Sequence, residues 1–259
     1  MRKLPVLCGL PLAMLTALLF VLLPAGVLAA SQEAVLHRFA GIDGQEPYAG
    51  RLIFDSAGNL YGTVAYGGAF GQGVAYEMHR GANGGWTERV LYNFRGGADG
   101  ATPYAGLVFD AAGNLFGTTL SGGVGCSGIG CGTAFELSRN GANWTEKVLY
   151  RFQGNPDGSY PWAGLTFDNQ GNLFGTTATG GDCTNFSYGT VFELTPGSGG
   201  WTESTLFGLS KSTGGNPVSS IVFDRAGNLY ATAVNGGDLS CAKQGCGTVF
   251  ELRRSGEQP

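Results

Sequence analysis

The sequence predicts an all-β protein, folded as a β-propeller of four four-stranded blades. Three observations favour this fold: 47 of the 259 residues are glycine, one unit recurs four times, and helical spacing of apolar residues is scarce beyond Ala30. Glycine at this frequency without a three-residue period indicates many tight turns, and the apolar fraction of 43% argues against disorder.

The repeated unit is most visible in one phrase, which runs from Leu52 to Tyr61 in its first copy and is centred on Asp55. The phrase returns at nearly even spacing around Asp110, Asp168 and Asp224. Its β-branched and aromatic pairs suit strands, and Asp followed by Gly suits the turn between them. We interpret each copy as a β-hairpin closed by an Asx-type turn; the alternative is a repeated metal ligand or acid.

Two further strands follow each hairpin. The third strand carries a glutamate in every unit (Glu77, Glu136, Glu193, Glu251), and the fourth opens with Trp-Thr-Glu in three units (Trp86, Trp144, Trp201). The glutamates are either a ring of carboxylates or locally bonded strand residues, and the tryptophans either stack on sugars or cover the sheets. Repeated four-stranded antiparallel sheets are typical of a β-propeller, here with units of approximately 40–94, 95–152, 153–208 and 209–252.

The ends of the chain predict how the ring closes. The last unit reaches Leu252 without a Trp-Thr-Glu strand, and residues 34–39 resemble that missing strand. We therefore expect the N-terminal strand to pair into the last blade, since closure hides the edges of the sheets. An eight-bladed ring shared by two chains is the alternative.

The N-terminal segment, residues 1–30, has the pattern of a secretory signal peptide. A basic start, Met1–Lys3, precedes a nearly continuous apolar run over residues 4–23, and Val27-Leu28-Ala29 has the small-residue spacing of a cleavage site. The run is also long enough to be an uncleaved membrane anchor. We expect cleavage, without membrane insertion afterwards, and a mature domain of residues 31–259 in the periplasm, at the cell surface or outside the cell.

Export favours disulfides among the five cysteines of the mature chain. Cys126 and Cys131 have the same spacing and the same place in their unit as Cys241 and Cys246, so two short disulfides are expected. A zinc site is the alternative, although no histidine lies near either pair in the sequence. Cys183 is left over, either free or paired between chains.

The charge of the chain excludes one class of partner. Removal of the segment 1–30 takes away Arg2 and Lys3 and no acidic residue, which leaves 13 basic residues against 19 acidic ones and a charge of −6. No basic run is present, so nucleic acid is not an expected partner.

Candidate binding residues lie on the face that also carries the varied loops between second and third strands. An Asp-Gly turn followed by Pro and an aromatic residue recurs in three units, which gives the candidates Asp43, Tyr48, Asp99, Tyr104, Asp157 and Trp162. Aromatic faces beside carboxylates suit carbohydrate, and clustered carboxylates suit calcium; the alternative is turn geometry with aromatic packing between blades. No other cofactor is expected.

Catalytic motifs are scarce. His37 and His79 are the two histidines, and the sequence has no nucleophile elbow, zinc-protease helix or phosphate loop. We expect a non-enzymatic module that binds glycan or a surface protein. The alternatives are an enzyme that acts on polysaccharide through carboxylates at the channel mouth and a purely structural or adhesive protein.

The string Asp-x-x-Gly-Asn-Leu-Tyr/Phe-Gly-Thr-Thr, then Gly-Gly, then Cys-Gly-Thr-Val-Phe-Glu-Leu resembles the GloVer tandem repeat of exported bacterial choice-of-anchor proteins. The resemblance covers nearly all of residues 34–252. It implies an exported bacterial surface protein with a propeller-like repeat, and it brings no catalytic residues. Unit 1 departs from the pattern because it lacks the cysteines. Only residues 253–259 follow Leu252 in the sequence, so we do not expect a C-terminal anchor.

Overall fold

The computed structural model describes residues 33–48, 50–141, 143–181, 188–240 and 243–253. The predicted signal peptide therefore lies outside the described residues. Within these ranges, no helix has both the length and the apolar character needed to cross a membrane.

The described residues form four four-stranded antiparallel sheets, arranged as a β-propeller of four blades, which confirms the predicted fold class. Blade 1 contains β1 (Ile53–Phe54), β2 (Leu60–Val64), β3 (Val74–Arg80) and β4 (Trp86–Asn93). Blade 2 contains β5 (Val108–Phe109), β6 (Leu115–Thr119), β7 (Thr133–Asn140) and β8 (Asn143–Arg151). Blade 3 contains β9 (Thr166–Phe167), β10 (Leu173–Thr177), β11 (Thr190–Gly197) and β12 (Gly200–Gly208). Blade 4 contains β13 (Gly215–Pro217), β14 (Val222–Phe223), β15 (Leu229–Asn235) and β16 (Thr248–Leu252). Two 3-10 turns, Gly97–Asp99 and Cys126–Gly128, lie in the loops.

The repeated aspartate closes the inner hairpin of every blade, as interpreted from the sequence. In blade 1, Asp55 Oδ1 accepts hydrogen bonds from the backbone N–H groups of Ala57 and Asn59, both at 2.9 Å. The Asn59 side-chain amide donates to Asp55 Oδ2 at 2.8 Å. The same three bonds recur at the equivalent aspartates Asp110, Asp168 and Asp224. Each carboxylate is thus used by its own turn.

Neighbouring blades are held together by aromatic side chains. The residue after Gly-Asn-Leu is buried in the first three blades and meets the phenylalanine of the next blade's inner strand edge to face. The three contacts, each at a ring-centroid distance of 5.1 Å, are Tyr61–Phe109, Phe116–Phe167 and Phe174–Phe223. Trp144 and Trp201 also pack on Tyr61 and Phe116, with ring centroids 6.4 Å and 6.1 Å apart. These tryptophans therefore cover the blade interfaces, as one of the two interpretations of their role predicts.

A second contact between blades explains why each unit has a proline and a glycine at fixed positions. The proline that precedes each inner strand packs on the glycine that precedes the third strand of the blade before it. A β-carbon on that glycine would lie 2.5–2.8 Å from the proline Cδ, in the pairs Gly73–Pro103, Gly132–Pro161 and Gly189–Pro217. Only glycine allows the two backbones to approach this closely.

The fourth blade departs from the prediction for closure. Residues 36–39 have no strand conformation, and the recorded pairings of β16 within the described residues are with β15 alone. Among the described residues no strand lies on the other side of β16, and Val249 on this strand is 78% exposed. Gly247 also lacks, among its nearest atoms, the proline of the following blade that its three equivalents contact. The predicted pairing of the N-terminal strand into the last blade is therefore corrected.

Phe39 nevertheless keeps the side-chain contact expected of a fourth strand. Its ring meets that of Tyr76 in blade 1 at 5.2 Å, as Phe94 meets Phe135 at 5.0 Å between blades 1 and 2. The apolar pattern of residues 34–39 thus specifies packing against the following blade and not pairing with the preceding one.

Candidate binding site

The inner strands of all four blades surround a cavity of about 840 Å³ along the propeller axis. The segments that lead into these strands approach each other closely. A β-carbon on Gly106, before β5, would lie 2.5 Å from the carbonyl oxygen of Arg51, before β1. The wall is largely apolar and contains Trp162 and, at the equivalent position of blade 4, Val218. Phe54 and Trp162 in this wall are exposed, so the cavity is open to solvent and a ligand can reach it.

Three of the six candidate residues form a continuous row of rings. Tyr48 lies 4.2 Å from Tyr104 between ring centroids, with an interplanar angle of 39°. Tyr104 stacks on Trp162 at 6.0 Å and 16°. Tyr48 is 61% exposed and Trp162 is 41% exposed, whereas Tyr104 between them is half-buried. We call these three residues the aromatic row.

Burial and a hydrogen bond with Tyr48 raise the pKa of Tyr104, so its hydroxyl stays protonated at neutral pH. The row therefore presents uncharged ring faces and hydroxyl groups. Such a surface suits sugar rings, which have an apolar face and polar edges. The alternative interpretation, packing between blades, explains the position of Tyr104. It does not explain why Tyr48 and Trp162 on either side of it are exposed.

An unusual backbone conformation places the row. The residue before each of the four recurring prolines has a positive φ: 58° at Glu46, 57° at Thr102, 59° at Tyr160 and 52° at Asn216. Non-glycine residues rarely adopt this conformation, and residues before proline favour extended backbone. Hydrogen bonds to the preceding blade hold it: Thr102 N–H donates to Gln72 O at 2.9 Å, and Tyr160 N–H donates to Cys131 O at 2.8 Å. The sequence analysis did not predict this conformation. The X-Pro-aromatic triplet that recurs in three units marks the residue that adopts it.

The three candidate aspartates lie apart from the cavity wall and are used by their own loops. Asp99 Oδ1 accepts a hydrogen bond from the Tyr92 hydroxyl at 2.5 Å, and its Oδ2 accepts one from Arg95 N–H at 2.7 Å. Asp157 accepts a hydrogen bond from the Tyr150 hydroxyl at 2.6 Å and is 8% exposed. Asp43 accepts one from Ala40 N–H at 2.7 Å and contacts His37. The structure thus gathers the aromatic candidates and places each aspartate in a turn.

Each of these aspartates has a glutamate from the Trp-Thr-Glu strand as a neighbour. Glu146 and Asp99 line one surface pocket together with Arg151. Burial, followed by the charge of Asp99, raises the pKa of Glu146 to about 7. Burial likewise raises the pKa of Glu203, near Asp157, to about 6. Within the described residues, Asp43, Asp99 and Asp157 are not close enough together to hold one metal ion between them.

Three of the four third-strand glutamates have local hydrogen-bond partners, namely Glu77, Glu136 and Glu251. Glu77 accepts a hydrogen bond from the Tyr61 hydroxyl at 3.0 Å, and Glu251 accepts one from Tyr230 at 2.8 Å. Glu136 accepts one from the Ser138 hydroxyl at 2.8 Å. These contacts agree with the local interpretation of this repeated residue.

The cysteine loops lie beside the same face. Cys126 and Cys131 form the predicted disulfide within the loop between β6 and β7. Cys246 is disulfide-bonded, while Cys241 lies outside the described residues, as does Cys183. The Cys131 carbonyl is the acceptor for Tyr160 N–H, so this loop also supports the unusual backbone conformation before Trp162.

Comparisons with known proteins identify the family of the chain. A search of curated proteins gave no match. Among solved structures, a protein of unknown function from Dyadobacter fermentans DSM 18053 is similar, with a TM-score of 0.43 and 12% identity over 73% of this chain and 63% of that one. The chain thus spans less than two thirds of the length of that protein. The profile of the Gloeobacter/Verrucomicrobia repeat matches residues 19–250, and the protein belongs to this family.

Proposed function

We propose that the protein is an exported, non-enzymatic binding module that recognises glycan through the aromatic row. The observation that carries this proposal is the row itself: three rings in contact beside an open cavity, two of them 61% and 41% exposed. Large aromatic side chains gain from burial, and the exposure of Tyr48 and Trp162 on either side of Tyr104 therefore has an energetic cost. A stacked sugar ring would cover them.

Export is supported by the signal-peptide pattern of residues 1–30 and by the Cys126–Cys131 disulfide. Disulfides persist in oxidising compartments, which include the periplasm and the outside of the cell.

The test is a glycan array followed by titration of the strongest ligand in solution. Tyr48→Ala and Trp162→Ala are expected to weaken binding about tenfold or more, because stacking of a ligand ring on one aromatic side chain contributes on the order of 1–2 kcal/mol. Phe70→Ala is the matched control, since Phe70 is 51% exposed and lies in a different loop. Equal binding by the three variants and the unmodified protein would contradict the proposal.

One observation favours a second candidate, an enzyme that acts on polysaccharide. Glu146, with its raised pKa, shares a pocket with Asp99, and glycoside hydrolysis uses a pair of carboxyl groups of which the general acid has a raised pKa. The test is release of sugars from polysaccharide, which Asp99→Asn should abolish. No release by the unmodified protein would remove this candidate.

A further inference from the structure

A histidine stands at one of three equivalent positions that otherwise carry tyrosine. Tyr92 and Tyr150 each donate a hydrogen bond to the aspartate seven residues later. His37 occupies the corresponding place beside Asp43, six residues later, and its Nε2 lies 3.0 Å from Asp43 Oδ2. The same fold element therefore carries a phenol in two copies and an imidazole in the first.

The third member of the group is Glu88, the glutamate of the first Trp-Thr-Glu strand. One ligand atom each from His37, Asp43 and Glu88 lie within 4.8 Å of one another, and all three residues are half-buried. Glu88 Oε1 is inaccessible to solvent and has no hydrogen-bond partner within the described part of the chain. A buried carboxylate oxygen without a partner is costly, so a positively charged ligand would stabilise it.

The group is held in place by contacts outside it. Asp43 Oδ1 accepts the hydrogen bond from Ala40 N–H, which fixes the carboxylate and leaves Oδ2 facing the imidazole. The Phe39 ring meets the His37 ring edge to face at 4.8 Å. Phe39 is itself seated on Tyr76 of blade 1. Outer contacts of this kind orient the ligands in known metal sites.

The donor types agree with one class of ion. A metal with bonds of about 2.1 Å separates adjacent ligand atoms by roughly 3.0 Å in octahedral and roughly 3.4 Å in tetrahedral geometry, so His37 Nε2 and Asp43 Oδ2, which are hydrogen-bonded at 3.0 Å, are close enough to share one ion. Imidazole with two carboxylates suits divalent transition metals, whereas calcium and magnesium favour oxygen donors alone. A divalent ion would also neutralise two carboxylates.

We propose that His37, Asp43 and Glu88 bind a divalent transition-metal ion of the zinc class at the start of blade 1. The tyrosine-bearing copies do not share this property, because a neutral phenol is a much weaker ligand for a divalent metal ion than an imidazole. The site is separate from the aromatic row and does not depend on glycan binding.

The experiment is calorimetric titration of the tag-free chain with zinc chloride, repeated with calcium chloride. Unmodified protein is expected to bind zinc in preference to calcium. His37→Tyr supplies the residue that the other two copies carry, so it should fold, and it is expected to weaken zinc binding at least about tenfold. His79→Ala is the matched control because it removes the other histidine, on β3, and it should leave zinc binding unchanged.

Thermal unfolding of the same samples distinguishes a variant that has lost the metal site from one that has lost its fold. Zinc should raise the unfolding temperature of the unmodified protein and of His79→Ala but not that of His37→Tyr. Zinc binding of equal strength in His37→Tyr, or no zinc binding by the unmodified protein, would overturn the proposal.

Discussion

Pro161 Cδ lies 2.6 Å from the point that a β-carbon on Gly132 would occupy. Gly132 also has a φ of +96°, so its backbone conformation and its surroundings both require glycine. We predict that Gly132→Ala destabilises the protein by about 2–4 kcal/mol, because strain and a blade-to-blade clash combine. Denaturant unfolding measures the loss.

Gly113→Ala is the matched control for this substitution. Gly113 has a φ of +85° but no atom within 4 Å of the added carbon, so the strain of the backbone alone should cost about 1–2 kcal/mol. An equal loss of unfolding free energy in the two variants would show that the contact between Gly132 and Pro161 is not tight.

Replacement of Asp110 tests the turn interpretation of the repeated aspartate. Asp110→Ala removes three hydrogen bonds and should cost about 1–3 kcal/mol. Asp110→Asn keeps a side-chain oxygen for the two backbone N–H groups, so its loss should be smaller. If the carboxylate charge were what mattered, as for a metal ligand, both variants would unfold at the same denaturant concentration.

Glu146 should make stability depend on pH. Because its pKa in the folded protein is raised to about 7, the fold favours the protonated form, and that contribution is complete below pH 4.5 and lost as the pH rises through 7. Glu146→Gln carries no group that ionises at this position. Its free energy of unfolding is therefore expected to rise relative to that of the unmodified protein by about 1–2 kcal/mol between about pH 5 and pH 8. Melting curves across this range measure the difference in stability, and Glu46→Gln, a variant of an exposed glutamate, is the control. A constant difference over the range would refute the assignment.

The Cys126–Cys131 disulfide closes a short loop, so its effect on the unfolded chain is modest. Chain-entropy estimates give about 2 kcal/mol for a loop of this length. The double variant Cys126→Ser/Cys131→Ser should lower the unfolding temperature by roughly 4–8 °C. An unchanged unfolding temperature would mean that the loop is held by its backbone bonds alone.

The sequence predicted the parts of the fold that depend on local chemistry. The hairpins around Asp55 and its copies follow from turn residues and alternating apolar pairs, and the structure confirms their bonds. The predicted pairing of residues 34–39 into the last blade is wrong, because none of these residues has strand conformation. The side-chain pattern specifies that Phe39 packs on Tyr76, but it does not by itself specify strand pairing.

The candidate site was predictable in its aromatic residues and less so in its aspartates. Tyr48, Tyr104 and Trp162 share one position in successive units, and a ring brings equivalent positions together around its axis. The aspartates share a position too, but each is used by hydrogen bonds within its own loop, which the sequence pattern did not distinguish from a ligand position. Whether these residues bind a ligand stays a prediction.

The most direct measurement is a crystal structure of the protein with the oligosaccharide that binds it best in the array. We expect one sugar ring to lie parallel to the Trp162 indole and a second to contact Tyr48. Density for the sugar elsewhere, with both side chains still exposed to solvent, would contradict the assignment of the aromatic row as the binding surface.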